Sequence, residues 1–589
     1  MTVLDIKKVG VVGCGTMGSG ICEVVARAGH DVHYVEVTDE AVKAGKERIE
    51  RGVGRAVEKG KIERAEGDEL LARISGSTDL NDLKDSDLVI EAVPEKLELK
   101  KTLFEQLDGI LGENAILATN TSSLPVIDMA VATKRTDRVV GFHFFNPAQV
   151  MHLVELVRTV ATDDSVVESA KAFAESIGKT PVVCRDRAGF IANLLLFPYL
   201  NAAARMFDQG YASREDIDAS MQFGCGHPMG PLALLDLIGM DSAYEICEAL
   251  WRQFRDDHDV PTPLLKQYLV AGYLGRKTGS GFYRYEAPES PQIVDASAGP
   301  ATGEDANIHT IGVVGTGLMA SGIAEVAAKA GNTVILRGRS EASIKRSKAA
   351  VEKSLSKAVS KGKLEQSAAD EILGRITTSL EFSDLAECDI VIEAVAEDLA
   401  LKEEIFKELD ASLKPEAILA STTSSLPVVD LAAVTNRTDR VIGLHFFNPA
   451  PIMKLVEVVR TVATSNEVET RSIAWIQSLR KHPVRCRDRA GFIVNFLLFP
   501  YLNDAIRMHE EGYSTPEDID TAMKLGCGHP MGPFALMDIV GLDVTLAILN
   551  SLHQEFRERR YAPAPLLEHM VSAGYLGRKT GRGFYDYSQ

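Results

Sequence analysis

The chain repeats itself at one fixed offset, and this repeat limits the possible folds more than any other feature. RDRAGFIANLLLFPYLN at 185 returns as RDRAGFIVNFLLFPYLN at 487, and GCGHPMGP at 224 returns unchanged at 526. VGVVGCG, FHFFNPA and AGYLGRKTG recur at the same offset, so the two copies align without a gap. Solenoid repeats are only about 20–50 residues long. The repeat therefore indicates duplication of an enzyme-sized unit.

The length of 589 residues favours about four domains, because single hydrophobic cores stop growing well below this size. The segment EAPESPQIVDASAGPATGEDAN between the copies lacks hydrophobic periodicity and is rich in Pro, Ala, Ser and Gly, which is typical of a linker. We predict two nucleotide-binding domains, two helical domains and one linker, with the boundaries 1–185, 186–286, 287–307 (linker), 308–487 and 488–589.

Each copy shows two patterns in succession. Six β-branched runs alternate with helical stretches: KKVGVVG, DVHYVE, DLVIEAV, AILATN, RVVGFHF and LVELVRT. Such alternation predicts an α/β, Rossmann-like domain with a mainly parallel, doubly wound sheet. After Pro181 the pattern changes to long amphipathic helices. The predicted fold is thus a Rossmann-like domain followed by an all-helical domain, with this pair duplicated in tandem.

Charge and composition exclude some partners. The formal net charge of -19 argues against a nucleic-acid partner, which needs a basic face. No run of 18 apolar residues and no signal peptide occurs, so we expect a cytoplasmic protein with no membrane partner. The eight cysteines form no CxxC pair, and we expect free, mostly buried thiols and no metal site.

The first copy carries a dinucleotide-binding pattern. Gly13, Gly15 and Gly18 follow a strand and open a helix, and Glu36 ends the next strand. The glycines allow a tight turn, close approach of the pyrophosphate, and close packing of helix on strand, while the acid can bind the ribose hydroxyls. We therefore predict that the first copy binds NAD.

The second copy departs from this pattern. Gly315 and Gly317 remain, Ala320 takes the third position, and Gly338 replaces the acid, with Arg337 and Arg339 on either side of it. Loss of the acid removes a negative charge that would repel a 2′-phosphate, and arginines donate well to phosphate. We predict NADP or NAD for this copy.

Three further segments carry a family resemblance: ATNTSSLPV at 118, GFHFFNPAQVMHLVELV at 141 and AGFIANLLLFPYL at 188. In order and spacing they resemble the 3-hydroxyacyl-CoA dehydrogenase family, including its short-chain 3-hydroxybutyryl-CoA members. The resemblance covers nearly all of both copies. It implies oxidation of (S)-3-hydroxyacyl-CoA to 3-oxoacyl-CoA, and the reverse, with hydride transfer to or from the nicotinamide.

A base must take the hydroxyl proton during this oxidation, and histidine suits that task near neutral pH. His143 ends a strand, and Glu155 follows twelve residues later, where it can orient the imidazole. By resemblance, Ser122 bonds the substrate oxygen and Asn193 helps position the thioester. The second copy repeats the four candidate catalytic residues as Ser424, His445, Glu457 and Asn495.

The resemblance also implies ligand contacts. Lys59 and Lys361 match a CoA-contacting lysine, and a matching serine occurs as Ser354 but is Gly52 in the first copy. A charged helix face of this kind is equally typical of a solvated surface. Five residues match positions that line the NAD site, although Thr422 replaces the asparagine in the second copy: Glu95, Lys100, Asn120, Glu397 and Lys402.

Several interpretations stay open. His227 and His529 are interpreted as turn residues that precede a helix, and Asn146 and Asn448 either bind ligand or set the turn before proline. The alternative functions are a gulonate-type dehydrogenase of the same fold, or one copy acting as a non-catalytic scaffold. Because single-copy members of the family pair through the helical domain, the resemblance implies an intramolecular pseudo-dimer, with a further homo-oligomer left open.

Overall fold

The computed structural model describes residues 4–296 and 306–588. Residues 297–305, the middle of the predicted linker, lie outside the described residues. The part of the linker that precedes them contacts the first copy: Arg214 Nη1 lies 3.1 Å from Asp295 Oδ2, and Val294 N donates to Arg284 O at 2.9 Å. The first ten residues of the linker therefore pack on the helical domain that they follow.

The first copy begins with an eight-stranded sheet in the order β3-β2-β1-β4-β5-β6-β7-β8. β1 to β6 are parallel, β7 is antiparallel to β6, and β8 is parallel to β7. The mainly parallel sheet is confirmed. Its strands are β1 Lys8–Val12, β2 Asp31–Val35, β3 Ile74–Ser77, β4 Leu88–Glu91, β5 Ile116–Thr119, β6 Val139–Phe144, β7 Leu153–Arg158 and β8 Thr180–Arg185.

Two of these strands were absent from the prediction, and both lie at the edges of the sheet. β3 is a short ISGS segment that is half-buried at its ends and exposed in its middle, so it lacks a hydrophobic run. β8 contains Pro181, which an edge strand tolerates because one side of its backbone needs no partner. Edge strands carry weaker sequence patterns because only one neighbour pairs with them.

Helices cover the sheet and then form the second domain. The sheet domain of the first copy contains α1 Thr16–Arg27, α2 Asp39–Glu58, α3 Arg64–Ala72, α4 Leu97–Ile110, α5 Val126–Ala130 and α6 Asp164–Ser176. The helical domain contains α7 Ala192–Asp208, α8 Arg214–Cys225, α9 Pro231–Ile238, α10 Met240–Phe254 and α11 Pro263–Ala271. Local signals set several ends: Thr38 caps α2, and Gly226 ends α8 at a φ of 71°.

The second copy repeats this architecture, with strand order β11-β10-β9-β12-β13-β14-β15-β16. Its strands are β9 Thr310–Val314, β10 Thr333–Arg337, β11 Ile376–Ser379, β12 Ile390–Glu393, β13 Ile418–Ser421, β14 Val441–Phe446, β15 Leu455–Arg460 and β16 His482–Arg487. Its helices are α12 Leu318–Lys329, α13 Glu341–Ser360, α14 Gln366–Gly374, α15 Leu399–Ser412, α16 Val428–Ala433, α17 Asn466–Ser478, α18 Val494–Glu510, α19 Pro516–Cys527, α20 Pro533–Val540, α21 Leu542–Phe556 and α22 Pro565–Ser572.

The helical domains of the two copies contact each other. α7 packs against α18, and the rings of Tyr199 and Tyr501 lie 6.4 Å apart between their centroids. One hydrophobic cluster runs through both helical domains and continues onto one face of each sheet. The opposite faces form two separate clusters under their own helices. The shared cluster joins the two copies through apolar packing.

Some expectations about composition can be compared directly with the structure. All eight cysteines are free thiols, and six of them are buried, as predicted. Within residues 4–296 and 306–588 no group of three or more metal-ligating side chains is present. In the same ranges no single helix is long and apolar enough to cross a membrane, and one pair of helices, bent by 98°, passes that test by length and composition alone.

Candidate active site and nucleotide-binding loops

His143 and Glu155 face each other across the antiparallel pair formed by β6 and β7. His143 Nδ1 lies 2.7 Å from Glu155 Oε2. The other carboxylate oxygen, Oε1, accepts hydrogen bonds from the backbone N–H groups of Ile191 and Ala192 at 3.0 and 2.8 Å. Glu155 is fully buried. The carboxylate is thus held between the imidazole and the first turn of the helical domain.

The second copy reproduces this arrangement closely. His445 Nδ1 lies 2.6 Å from Glu457 Oε2, and Oε1 accepts from Ile493 N and Val494 N at 3.0 and 2.9 Å. Glu457 is also fully buried. In both copies the bond at Nδ1 leaves Nε2 as the ring nitrogen that can face a substrate.

Aromatic rings flank each imidazole. The ring centroid of His143 lies 4.7 Å from that of Phe145 and 5.5 Å from that of Phe190. In the second copy the rings of Phe447 and Phe492 stand in the same relation to the imidazole, at 4.5 and 5.6 Å. These rings limit the rotation of the imidazole and exclude water from its faces.

The predicted serine and asparagine lie together at the junction of the two domains. Asn193 Nδ2 donates to the backbone oxygen of Ser122 at 3.4 Å, and Asn495 Nδ2 donates to Ser424 O at 3.1 Å. Both serines are partly exposed. The amide therefore ties the start of the helical domain to the loop that carries the serine.

A buried ion-pair network stands behind this loop, and part of it escaped the sequence reasoning. Lys100 Nζ lies 2.9 Å from both carboxylate oxygens of Glu91 and 3.0 Å from Glu95, and only 1% of Lys100 is exposed. Lys100 is thus placed to hold Glu95. The acid that directly follows the apolar residues 88–90 was the available signal for Glu91, because a buried carboxylate needs a partner.

Glu95 in turn organises the serine loop. It accepts hydrogen bonds from Thr121 Oγ1 and from the backbone N of Ser122, the latter at 3.0 Å. Burial alone would raise the pKa of Glu95, but the charge of Lys100 and these donors together lower it below its usual value. In the second copy the pKa of Glu397 is lowered in the same way, with Lys402 as the cation.

The glycine loop of the first copy fits a dinucleotide. Gly13 has a φ of 89°, which favours glycine, and a Cβ at Gly18 would lie 1.8 Å from Gly13 O. A Cβ at Gly15 would meet nothing within 4 Å, so this backbone is open for a pyrophosphate at the N-terminus of α1. Glu36 Oε1 accepts from Cys14 N at 2.6 Å, which places the acid beside the loop.

The loop of the second copy is rearranged. Gly315 has a φ of 129°, and Ala320 is accommodated, fully buried, where the first copy has no room for a Cβ. Gly317 stays open, like its counterpart. Gly338 is tightly packed, because a Cβ there would lie 2.6 Å from Ile344 Cγ1 and 2.9 Å from Thr316 Cγ2. Restoring an acid at this position would require repacking of the loop.

The two arginines beside Gly338 take different positions. Arg337 donates from Nε to Leu380 O at 3.2 Å, and its guanidinium lies 3.8 Å from the ring centroid of Phe382. Arg339 is exposed. Both line a cavity of about 960 Å³ that also includes the glycine loop and Asn448. The cavity therefore presents two cations where the first copy has Val35 and Val37.

The remaining residues that were predicted to bind the cofactor or CoA follow β5 and β13, or lie on or just after α2 and α13. Asn120 Oδ1 accepts a hydrogen bond from Phe144 N at 2.8 Å. In the second copy the hydroxyl of Thr422 accepts the corresponding bond from Phe446 N at 3.3 Å. Lys59 and Lys361 are exposed just after the last residues of α2 and α13. Ser354 lies on α13 and is half-buried.

Position 52, the counterpart of Ser354, is shaped by its neighbours. A Cβ at Gly52 would lie 2.6 Å from Glu23 Oε2, and the same oxygen accepts from Gln149 Nε2 at 3.1 Å. A serine at this position would therefore displace Glu23. In the first copy this hydrogen-bonded pair occupies the space that a serine side chain at position 52 would need.

His227 and His529 belong to a contact that the sequence did not reveal. Their rings stack at 4.2 Å between the helical domains, and each Nδ1 faces a tyrosine hydroxyl, at 3.5 Å for Tyr199 and 3.3 Å for Tyr501. The interpretation as turn residues alone is too narrow. A contact across a pseudo-twofold axis cannot be read from either copy by itself. Asn146 and Asn448 precede prolines in cis peptide bonds.

The fold and this site define a class of protein: a dehydrogenase that uses a nicotinamide dinucleotide. The sequence model of the 3-hydroxyacyl-CoA dehydrogenase NAD-binding domain matches residues 8–187 and 310–489. The model of the C-terminal domain of that family matches residues 189–285 and 491–587. The chain therefore belongs to the 3-hydroxyacyl-CoA dehydrogenase family, and it carries both domains of the family twice.

Curated relatives and a solved structure agree with this membership. The 3-hydroxybutyryl-CoA dehydrogenase of Mycobacterium tuberculosis is 50% identical over 282 residues, which are 48% of this chain and 99% of that protein. The mitochondrial hydroxyacyl-coenzyme A dehydrogenase of Rattus norvegicus is 47% identical over 287 residues, which are 48% of this chain and 91% of that protein. A crystal structure of 3-hydroxybutyryl-CoA dehydrogenase from Escherichia coli K12 covers 97% of this chain and 100% of its own, with 27% identity and a TM-score of 0.73.

Proposed function

We propose that each copy interconverts (S)-3-hydroxyacyl-CoA and 3-oxoacyl-CoA, with short-chain substrates such as 3-hydroxybutyryl-CoA and acetoacetyl-CoA. The observation that carries the proposal is the buried imidazole–carboxylate pair, present in both copies at 2.7 and 2.6 Å on the strands that follow the nucleotide-binding half of the sheet. Two of the relatives reported above are named for the short-chain substrate 3-hydroxybutyryl-CoA, which supports this choice of chain length. Two complete sites in one chain argue against a scaffold role for either copy.

In the oxidation direction Nε2 of His143 accepts the proton of the substrate hydroxyl. Glu155 orients the ring through Nδ1 and stabilises the imidazolium, because its charge lies 2.7 Å away in a water-poor site. The nicotinamide, when bound, supplies the hydride acceptor. Ser122 is the donor for the substrate oxygen, and Asn193 keeps its loop against the helical domain. His445, Glu457, Ser424 and Asn495 perform the same tasks in the second copy.

The test is turnover of the purified full chain. We expect reduction of acetoacetyl-CoA and oxidation of (S)-3-hydroxybutyryl-CoA, measured with acyl chains of several lengths and with each nicotinamide cofactor. Activity on gulonate without activity on any acyl-CoA would reject the proposal and support the gulonate-type alternative. Activity confined to one copy would support the scaffold alternative for the other.

The cofactor proposal is specific to each copy: NAD for the first, and NADP or NAD for the second, with discrimination against NADP much weaker there. Glu36 stands beside the first glycine loop and would repel a 2′-phosphate. In the second copy Arg337 and Arg339 line the cavity at the corresponding place. Arg339 is free to move toward a phosphate, whereas Arg337 is held against Phe382 and presents its charge from a fixed position.

For CoA we propose Lys59, Lys361 and Ser354 as contacts. The two lysines are exposed on the helical hairpins that stand beside the sheet, where a mobile cation can reach a phosphate of the substrate. Substituting Lys361 by Ala is expected to raise the KM for acetoacetyl-CoA in the second copy with little change in kcat. An unchanged KM would assign this lysine to the solvated surface.

We further propose that the full chain is an intramolecular pseudo-dimer in solution. The stacked histidines, the tyrosine pair and the shared hydrophobic cluster support it. The linker raises the effective concentration of one copy for the other. Small-angle scattering should show one compact particle, and a profile of two separately moving halves would contradict the proposal. Sedimentation of the same sample decides whether a further homo-oligomer forms.

A further inference from the structure

We infer that each catalytic imidazole–carboxylate pair is held in position by the helical domain of the other copy. The inference rests on the proposed function, and it assigns positioning roles to residues outside the catalytic set. Three residues of the first copy act on the second site: Tyr211, Gly224 and Cys225. Their counterparts Gly526 and Cys527 act on the first site, and the guanidinium carbon of Arg187 lies 4.9 Å from the ring centroid of Tyr513.

The first site is contacted by the end of α19. A Cβ at Gly526 would lie 2.8 Å from Leu153 Cδ2 and 3.1 Å from Phe145 Cε1, so the helix backbone presses directly on both side chains. Leu153 opens the strand that carries Glu155, and the ring of Phe145 packs on the imidazole of His143. A helix of the second copy therefore supports both partners of the first pair.

The second site has the reciprocal contact with the end of α8. A Cβ at Gly224 would lie 2.9 Å from Leu455 Cδ2 and 3.0 Å from Val494 Cγ2. Leu455 opens the strand of Glu457, and Val494 N is one of the two amides that hold the carboxylate. A shift of Val494 by a few tenths of an ångström would lengthen that hydrogen bond.

Tyr211 supports the loop that ends in these amides. Its hydroxyl donates to Arg487 O, and its ring lies 3.6 Å from the guanidinium carbon of Arg489. Phe496 covers the other face of the guanidinium at 3.8 Å. Within the part of the chain that the structure describes, Nε and Nη2 of Arg489 have no hydrogen-bond partner. The stacking on Tyr211 thus fixes the loop 487–493 from the side of the first copy.

The thiols of Cys225 and Cys527, at the ends of α8 and α19, lie close enough to the buried carboxylates for the carboxylate charges to act on them. Burial, and after it the charge of Glu457, raises the pKa of the Cys225 thiol to about 12. Burial and the charge of Glu155 raise the pKa of Cys527 in the same way. The low-dielectric surroundings that strengthen each imidazole–carboxylate interaction are therefore built in part by the other copy.

The test uses chains in which one copy is silenced. His445→Ala leaves turnover to the first copy, and His143→Ala leaves it to the second. Into each we introduce Gly224→Leu or Gly526→Leu. Both glycines lie within helices, and leucine has a higher helix propensity than glycine, so the substituted helix is not weakened. The matched control is Gly109→Leu on α4, where a Cβ would meet nothing within 4 Å.

We expect Gly526→Leu to lower kcat of the first copy by about tenfold or more and to shift its pH profile, since ~1.4 kcal/mol of lost positioning corresponds to tenfold. The second copy, which carries the substitution, should keep its rate and pH profile. Gly224→Leu should show the opposite pattern, and Gly109→Leu neither effect. Tyr211→Phe, a milder change, should lower kcat of the second copy alone, with an unchanged KM.

Three outcomes would overturn the inference: equal losses in both copies, a loss only in the copy that carries the substitution, or no loss in either. If the silenced parent chains are inactive on every acyl-CoA, the proposed function fails instead. The side-chain 15N signals of His143 and His445 then provide the readout. Gly526→Leu should shift the signal of His143 alone, Gly224→Leu that of His445 alone, and absence of these cross-copy shifts would reject the inference without any turnover.

Discussion

The two copies differ least at the imidazole–carboxylate pair and most at the end of the cleft that takes the adenosine ribose. The pairs have the same partners, the same helix amides and distances within 0.1 Å of each other, 2.7 against 2.6 Å. At the ribose end, the first copy has Val35, Glu36 and Val37, and the second has Arg337, Gly338 and Arg339.

The difference shows which part of the site tolerates change. Glu155 and Glu457 are fully buried charges, and removing one partner of a buried charged pair costs about 3–5 kcal/mol. At the ribose end Val37 and Arg339 are both exposed, so exchange of that side chain disturbs little packing, whereas the neighbouring Gly338 is tightly packed. Two copies of one enzyme can therefore keep one reaction and diverge in cofactor.

The largest effect should come from the pair itself. Replacing His143 and His445 together by Ala should lower acetoacetyl-CoA turnover by about 10²–10⁴-fold, because proton transfer by a positioned base contributes that much. Each single replacement should remove only the turnover of its own copy. Assays with NADH and with NADPH distinguish the turnover of the two copies. If His143→Ala alone removed all activity with both cofactors, the two copies would not be equivalent catalysts.

The second-largest effect should be a loss of stability that is equal in the two copies, because their buried lysine–glutamate ion pairs correspond. Lys100→Met leaves Glu91 unpaired in the interior, and Lys402→Met does the same to Glu393. Each is expected to destabilise its sheet domain by about 3–5 kcal/mol. Thermal unfolding of the full chain measures the loss, with Lys101→Met, a partly exposed neighbour, as the control. Clearly unequal losses would show that the copies differ in their interiors as well.

A smaller effect should separate the copies. In the His143→Ala chain, replacing Arg337 and Arg339 by Ala should shift the ratio of NADPH to NADH affinity about 10–100-fold toward NADH, which corresponds to the ~1.5–3 kcal/mol of a hydrogen bond to a charged group. The KM values for NADPH and NADH during acetoacetyl-CoA reduction measure the ratio, because both copies still bind cofactor but each silenced chain turns over only at its remaining copy. The His445→Ala chain, which reports the first copy, should show no change. A second copy that discriminates against NADPH as strongly as the first copy before any substitution would contradict the cofactor proposal.

The smallest effect concerns the contact between the copies. Burial lowers the pKa of His227 to about 4, and burial and the neighbouring His227 lower that of His529 to about 3. An unfolded histidine titrates near ~6.5. Because the folded pKa values lie below this value, the stability contributed by the neutral pair is complete above pH ~6.5 and is lost as the pH falls toward 4.

Replacing both stacked histidines by Phe keeps two flat rings and removes the titration. Between pH 6.5 and 4 the variant should lose less stability than the parent chain, by at least ~1.4 kcal/mol, the equivalent of one pKa unit, as judged by thermal unfolding at each pH. His569→Phe, at an exposed position, is the control. Parallel pH curves for the variant and the parent would show that the pair does not carry this dependence.

Much of the molecule follows from the sequence because it depends on short-range patterns. The duplication, the strand–helix alternation, the glycine loops and the spacing of His143 and Glu155 are local features, and the structure places each where the pattern predicts. His143 and Glu155 meet because they stand opposite each other on consecutive antiparallel strands joined by a short connection. The edge strands β3 and β8 escaped the prediction because their pairing on one side leaves a weak hydrophobic pattern.

The tertiary structure decided what depends on distant surfaces. Only the fold shows that Lys100 is buried against Glu91, that Arg337 rests on Phe382, and that the two stacked histidines meet between the copies. A repeated sequence presents the same side chains twice and does not specify which of the equal surfaces will touch. That choice is made by the packing of the two helical domains, whose hydrophobic residues form one shared cluster, and it brings Gly224 and Gly526 against the opposite active sites.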